Sequence, residues 1–113
     1  MVSTNYIPER GDIVKLNFNP NKGREQTGYH PALIISPFAY NKIASLALMC
    51  PITNQIKGLS FEVLLEESMK TTGVALVDHV KSLDWRVRKA KFVEKATPEI
   101  LEEVLARLET LVL

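Results

Sequence analysis

The segment TPEILEEVLARLETLVL, residues 97–113, sets Ile100, Leu101, Val104, Leu105, Leu108, Leu111 and Val112 at helical spacing. A helix with a single apolar stripe needs a surface to lie on, so the rest of the chain must supply one. The start of this helix is marked three ways. Thr97 is a good N-cap, Pro98 suits the first helical position, and Glu99, Glu102 and Glu103 put negative charge where the helix dipole favours it. Glu103 and Arg107 stand four apart in the favourable order for an ion pair.

Everything before Thr97 reads as short β runs separated by turn residues. DIVKLNF, residues 12–18, alternates, with Val14, Leu16 and Phe18 on one side and Lys15 and Asn17 on the other. Pro20, Gly23 and Gly28 punctuate a long loop after it. PALIIS, 31–36, is apolar throughout and suits a strand buried on both faces, with Pro31 opening it. PFAYNKI reads as a helical turn and ASLALMCPIT as the next strand. SFEVLLEE alternates, GVALV is a short apolar run, and RVRKAKFVEKA reads as a solvated, positively charged strand. Closely spaced strands followed by one packed helix predict a mainly β single domain over residues 1–113, a small curled sheet or barrel with a C-terminal α-helix.

Composition narrows the function. The 113 residues carry a net charge of only +1, too little for a protein that coats duplex DNA or anionic lipid. A protein that reads a few nucleotides of a single strand remains compatible. Cys50 is the only cysteine, so no internal disulfide can form, and the expected role is a buried structural thiol in a reducing, cytoplasmic setting. No CxxC or His-rich spacing suggests a metal, and no cofactor is expected. No run reaches the ~18 apolar residues needed to cross a bilayer, and the N-terminus lacks a signal-peptide core.

The loop NPNKGREQTGYHPALIIS, residues 19–36, concentrates Arg24, Glu25 and His30 just before a buried strand. Charged residues in a Gly-rich loop are most often solvated, and a histidine beside a proline often only ends a strand. The same set nevertheless suits cleavage of single-stranded RNA. That reaction must remove the 2′-hydroxyl proton, protonate the leaving 5′-oxygen and stabilise extra charge on phosphorus. Positioned acids and bases contribute about 10²–10⁴-fold each, and one preorganised donor on the developing charge about 10²–10³. Glu25 can act as a base, Arg24 as a fixed cation and His30 as either acid or base. Thr53 can donate a hydroxyl to a phosphate oxygen.

RGDIVKLNFNPNKGREQTGYHPALIISPFAYN resembles the opening of the MazF/PemK toxin family, whose pattern is a strand beginning GDI, a loop with EQ, G and RP, and a strand ending SP…YN. CPITNQIKGLSFEV and TTGVALVDHVKSLDWRVRKAKFV continue the resemblance through to the final helix. It implies a small SH3-like β-barrel of the CcdB/MazF/Kid type with a C-terminal helix, assembled as a homodimer. It also implies the toxin of a type II toxin–antitoxin module. Such a toxin is an endoribonuclease that cuts single-stranded mRNA at short sequences without metal, leaving a 2′,3′-cyclic phosphate and a 5′-hydroxyl. A cognate antitoxin with a disordered acidic tail would fold on binding and block it.

By the same resemblance Glu25, His30 and Thr53 stand at the catalytic positions, and Arg24, Gln26, Lys57, Asp78 and His79 are the expected RNA-binding residues. Two positions depart from the pattern. His30 stands where the family has the arginine of RP, and His79 where it commonly has the glutamine of DQ. Arginine keeps its charge and presents a planar fork, whereas histidine is shorter and titrates near neutrality. Either His30 takes over proton transfer with Arg24 supplying charge, or the site is weakened. Trp85 can stack a base, though core packing is commoner for such a residue, and Arg86 and Arg88 can guide RNA or antitoxin. The competing class is a non-catalytic toxin-fold protein that acts by binding another protein. Gyrase-poisoning toxins of this fold rely on a Trp-Gly-Ile terminus, whereas this chain ends ETLVL.

Overall fold

The computed structural model describes residues 6–18 and 28–113. Their elements run β1 (Asp12–Asn17), β2 (Tyr29–Ile34), α1 (Phe38–Ala44), β3 (Leu46–Thr53), β4 (Glu62–Leu64), β5 (Val74–Leu76), a 3₁₀ turn (Val77–His79), β6 (Lys81–Asp84), β7 (Lys91–Lys95) and α2 (Pro98–Val112). The strands form one antiparallel sheet in the order β4-β5-β3-β2-β1-β7, with β6 also paired to β3.

The terminal strands of that path, β4 and β7, do not pair among the described residues, so the sheet is curled but not closed into the expected barrel. Helix α2 supplies the physical reason. Its Ile100 and Val104 pack into one face of the sheet with Ile13, Leu33, Cys50, Ile52, Val63 and Ala75. The helix thus covers apolar surface that a closed barrel would bury against itself. The other face carries a second cluster of Val14, Leu16, Phe18, Ala32, Ile34, Ala47, Met49 and Trp85. Because neighbours such as Leu33 and Ile34 serve opposite clusters, β2 is buried on both faces, as its continuous apolar run predicts.

Helix α2 begins as predicted. The Thr97 hydroxyl accepts from the Ile100 N–H at 3.3 Å, and Arg107 Nε lies 2.8 Å from Glu103 Oε2. Other boundaries moved. Strand β2 starts at Tyr29, so Pro31 lies inside it, opposite Lys15. Only Lys91–Lys95 of the basic segment is strand, because Arg88 and Lys89 close hydrogen-bonded turns on Asp84 and Arg86. KSLD, too short and polar to stand out as a strand in the sequence, forms β6.

The GDI and SP…YN motifs turn out to be structural. Asp12 is buried, with the Tyr6 hydroxyl donating to its Oδ2 at 2.6 Å and the Lys95 ammonium 2.6 Å from Oδ1. Asn41 is fully buried. Its amide donates to the carbonyls of Pro8 and Ser36, its side-chain oxygen accepts from Ser36 Oγ, and its backbone carbonyl accepts from the Trp85 indole N–H. These bonds join the N-terminal segment, α1 and the residue that follows β6.

Cys50 is the buried thiol the sequence predicts. Burial, reinforced by the nearby Asp78 charge, pushes its pKa up to about 12. Iodoacetamide at pH 8 should therefore leave the native protein unlabelled over hours and label it rapidly in urea. Equal rates in both states, read by intact mass, would contradict this burial.

Candidate functional site

Strand β3 is the axis of the site. Along one of its edges Ile52 and Thr53 pair with Ala75 and Val74 of β5, and Leu46 through Met49 pair with β6. Between these two ladders, only Cys50 and Pro51 of β3 stand against Leu76 through Val80 of its partner. The surplus residues cannot stay in the ladder, so they leave it as the 3₁₀ turn Val77–His79. Val77 turns inward and is buried, while Asp78 and His79 project outward with their side chains 4.0 Å apart.

That projection forms one wall of a groove of about 110 Å³, lined by Thr53, Gln55, Lys57, Leu59, Phe61, Glu62, Leu76, Asp78 and His79. Four residues singled out from the sequence, Thr53, Lys57, Asp78 and His79, therefore converge on one cavity. The Thr53 hydroxyl oxygen accepts from the Gln55 N–H at 3.1 Å, which leaves its own proton free to point elsewhere. Glu62 went unnoticed in the sequence because its alternating strand reads as a solvated face.

His30 does not line this groove among the described residues, but it lies on the same side of the sheet. It pairs with Leu16, a member of the second core, and its ring meets the edge of Phe18 with centroids 6.5 Å apart. The β2–β3 ladder ends at Ala32 and Pro51, and carrying its register two residues further sets His30 opposite Thr53. Pro31 and Pro51 bring no N–H to this end of the ladder, which helps the strands part there. Lys81, unremarked in the sequence, has its ammonium 5.9 Å from the Phe18 ring centre and so joins His30 around one aromatic side chain. Arg24, Glu25 and Gln26 lie outside the described residues.

Trp85 is not available to stack a base. It is 4 % exposed, and its N–H is committed to Asn41. Arg88 is likewise engaged, donating to the Asn17 carbonyl at 3.1 Å. A larger groove of about 520 Å³ is lined by Tyr6, Ile7, Trp85, Arg86, Lys89, Ala90 and Lys91. It holds none of the expected catalytic residues, whereas the smaller groove holds Thr53. Among the described residues, no three His, Cys, Asp or Glu side chains cluster as metal ligands, and no helix is long and apolar enough to cross a membrane.

Comparison with known proteins agrees with this fold. Residues 9–112 match the family model described as PemK-like, MazF-like toxin of type II toxin–antitoxin system. The Escherichia coli K12 protein named endoribonuclease toxin MazF is 43 % identical over 107 residues, covering 95 % of this chain and 96 % of that one. The ChpB endoribonuclease toxin of the same strain is 40 % identical, covering 92 % of this chain and 93 % of that one. The crystal structure of MazF from Deinococcus radiodurans superposes with a TM-score of 0.92 at 44 % identity, covering 96 % of this chain and 98 % of that one. A match spanning nearly the whole length, with the same fold at over 40 % identity, establishes that this chain belongs to the MazF/PemK toxin family of type II toxin–antitoxin systems.

Proposed function

We propose that the protein is an endoribonuclease toxin that cleaves single-stranded mRNA by internal attack of the 2′-hydroxyl, leaving 2′,3′-cyclic phosphate and 5′-hydroxyl ends. The observation that carries this reading is the convergence of Thr53, Lys57, Asp78 and His79 on one groove, with His30 on the adjoining part of the same sheet face. The names of the relatives, endoribonuclease MazF and ChpB, support it.

Each residue has a role that its chemistry allows. Thr53, its oxygen already holding the Gln55 N–H, turns its proton toward a non-bridging phosphate oxygen. Lys57 neutralises the strand at the groove wall. Asp78 and His79 offer acceptors and donors to base edges. Glu25 takes the 2′-hydroxyl proton, Arg24 and Gln26 contact the RNA backbone, and His30 stands beside the phosphate at the position where the family pattern has an arginine. No metal or cofactor enters the scheme.

Incubation with a long single-stranded RNA plus chelator, followed by end mapping, tests the proposal. Discrete cuts with 5′-hydroxyl ends are expected, and intact RNA at high enzyme concentration would refute it. Thr53→Val keeps the shape and removes the donor, so cleavage should fall about 10²–10³-fold with little change in melting temperature. An unaltered rate would remove Thr53 from the site.

As partners we propose a second copy of this chain and an antitoxin with an acidic tail. Arg86, Lys89 and Lys91 border the 520 Å³ groove beside Tyr6 and Ile7, which suits an acidic segment carrying apolar residues. A MazE–MazF complex from Deinococcus radiodurans superposes on this chain with a TM-score of 0.87 at 44 % identity. The competing reading, a non-catalytic module that acts through protein binding, draws on His30 in place of a permanently charged arginine.

A further inference from the structure

The groove proposed for a polyanion contains two carboxylates, Asp78 and Glu62. Asp78 is turned outward, but Glu62 is engaged in a specific way. Its Oε1 accepts from the Gly58 N–H at 2.9 Å and from the Lys57 N–H at 3.1 Å, while Oε2 lies 3.2 Å from the Lys57 N–H. Two successive backbone N–H groups therefore converge on one oxygen. That convergence needs a left-handed residue in the turn, and Gly58 has φ +75°. The glycine is not there for space, since an added Cβ would meet nothing within 4 Å. Successive N–H groups converging around a positive-φ residue form an anion-binding concavity, and Lys57, a cationic residue, lines the same groove.

We propose that the Lys57–Gly58 turn is a phosphate seat for RNA, occupied in the free protein by the Glu62 carboxylate, which the incoming phosphate must displace. The proposal rests on the RNA-binding reading of this groove and adds a self-blocking group to it. The seat has supports that do not depend on the Glu62 side chain. The Ser60 carbonyl accepts from Arg107 of α2, the Leu59 carbonyl accepts from the Glu62 backbone N–H at 3.1 Å, and the Thr72 hydroxyl holds Asn54 at 2.9 Å. The turn therefore keeps its shape when the carboxylate swings out. A carboxylate and a phosphate oxygen compete for the same charge-assisted bonds, so Glu62 lowers RNA affinity and sharpens the demand for a phosphate at that one position.

The test uses the full-length protein and two variants, Glu62→Ala and Glu62→Gln. Titrating inorganic phosphate at constant ionic strength, followed by amide NMR, should move the Lys57 and Gly58 N–H signals saturably in Glu62→Ala and leave them still in wild type. In Glu62→Gln the side-chain oxygen still accepts both N–H groups but carries no charge. A 2′-deoxy oligonucleotide, which cannot be cleaved, should bind that variant about 3- to 10-fold more tightly than wild type. Well-dispersed Lys57 and Gly58 signals in Glu62→Ala that ignore phosphate would overturn the proposal. If the alanine variant loses the turn, the glutamine variant decides, and weaker oligonucleotide binding there would make Glu62 a mere fastener of the loop. The phosphate titration needs no catalysis, so a protein that cuts no RNA but shows the exchange would fail the functional reading alone.

Discussion

Gly73→Ala should lower stability by about 3–5 kcal/mol, a large share of the 5–15 kcal/mol that holds a typical domain together. Two separate costs add at this position. The residue has φ +110°, a conformation that costs any L side chain about 1–3 kcal/mol. A Cβ there would also sit 2.8 Å from the Thr53 carbonyl carbon and closer still to its oxygen, and that neighbour is backbone that cannot rotate away. Strand β5 would have to lift off the end of β3, breaking the pairing of Thr53 with Val74 and the bond from the Leu65 N–H to the Gly73 carbonyl. At about 4 °C per kcal/mol for a domain of this size, the melting temperature should drop by roughly 12–20 °C. Gly58→Ala is the control for the first cost alone. Its φ is also positive but its surroundings are open, so about 1–2 kcal/mol is expected. Equal losses at the two glycines in thermal and denaturant melts would show that the close approach to Thr53 contributes nothing.

The same contact explains how Thr53 is held. The loop leading to Gly73 is fastened from the other side of the sheet by Glu94, whose carboxylate accepts from the Lys70 N–H and from the Thr71 N–H and hydroxyl at 2.7–3.0 Å. Burial pushes that carboxyl up, but the Thr71 hydroxyl and the two backbone donors outweigh it and hold the group below the usual range. The fastening is therefore at full strength above the ordinary glutamate range and is lost as pH falls through the depressed value.

How much of this was legible beforehand depends on whether the controlling interaction is local. Helix α2 was, because its cap, dipole charges and stripe all lie within one segment. The apolar runs of β2 and β3 were, because burial on both faces leaves an unbroken pattern. Strand β6 was not. Lys81–Asp84 is short and mostly polar, and it is strand only because β3 is long enough to offer an edge. The open sheet was equally hidden, since the sequence shows that α2 has an apolar stripe but not which face of the sheet it covers or that β4 and β7 stay unpaired among the described residues. At the site, Thr53, Lys57, Asp78 and His79 were found through motifs. What brings them together, the surplus of residues between β5 and β6, is a register effect that no single segment displays. Glu62 and Lys81 were missed for the same reason. Their roles come from groups far away in sequence, the Lys57–Gly58 turn and the Phe18 ring.

His30→Arg should raise the rate of RNA cleavage about 10²-fold or more while leaving stability within about 1 kcal/mol. The site offers room for the change. His30 is only half-buried at the end of β2, its ring rests on the edge of Phe18, and a longer side chain can pass that ring toward the parted strands beside Thr53. An arginine there presents a permanent planar fork of charge to the phosphate, which the shorter imidazole ring does not offer. Lys81 already flanks Phe18, but repulsion between two solvated cations is less than about 1 kcal/mol and cannot cancel the gain. The competing account makes His30 the working acid, and it predicts the opposite pattern. Wild type would then show a rate limb near neutral pH that disappears in the arginine variant, and the arginine rate would be equal or lower. Single-turnover cleavage of one RNA by both proteins from pH 5.5 to 9 separates the two. A large, nearly pH-independent gain identifies a site weakened by the missing charge. A loss of both rate and pH limb identifies a histidine that has taken over the proton transfer, with the phosphate charge then left to Lys81 or Arg24.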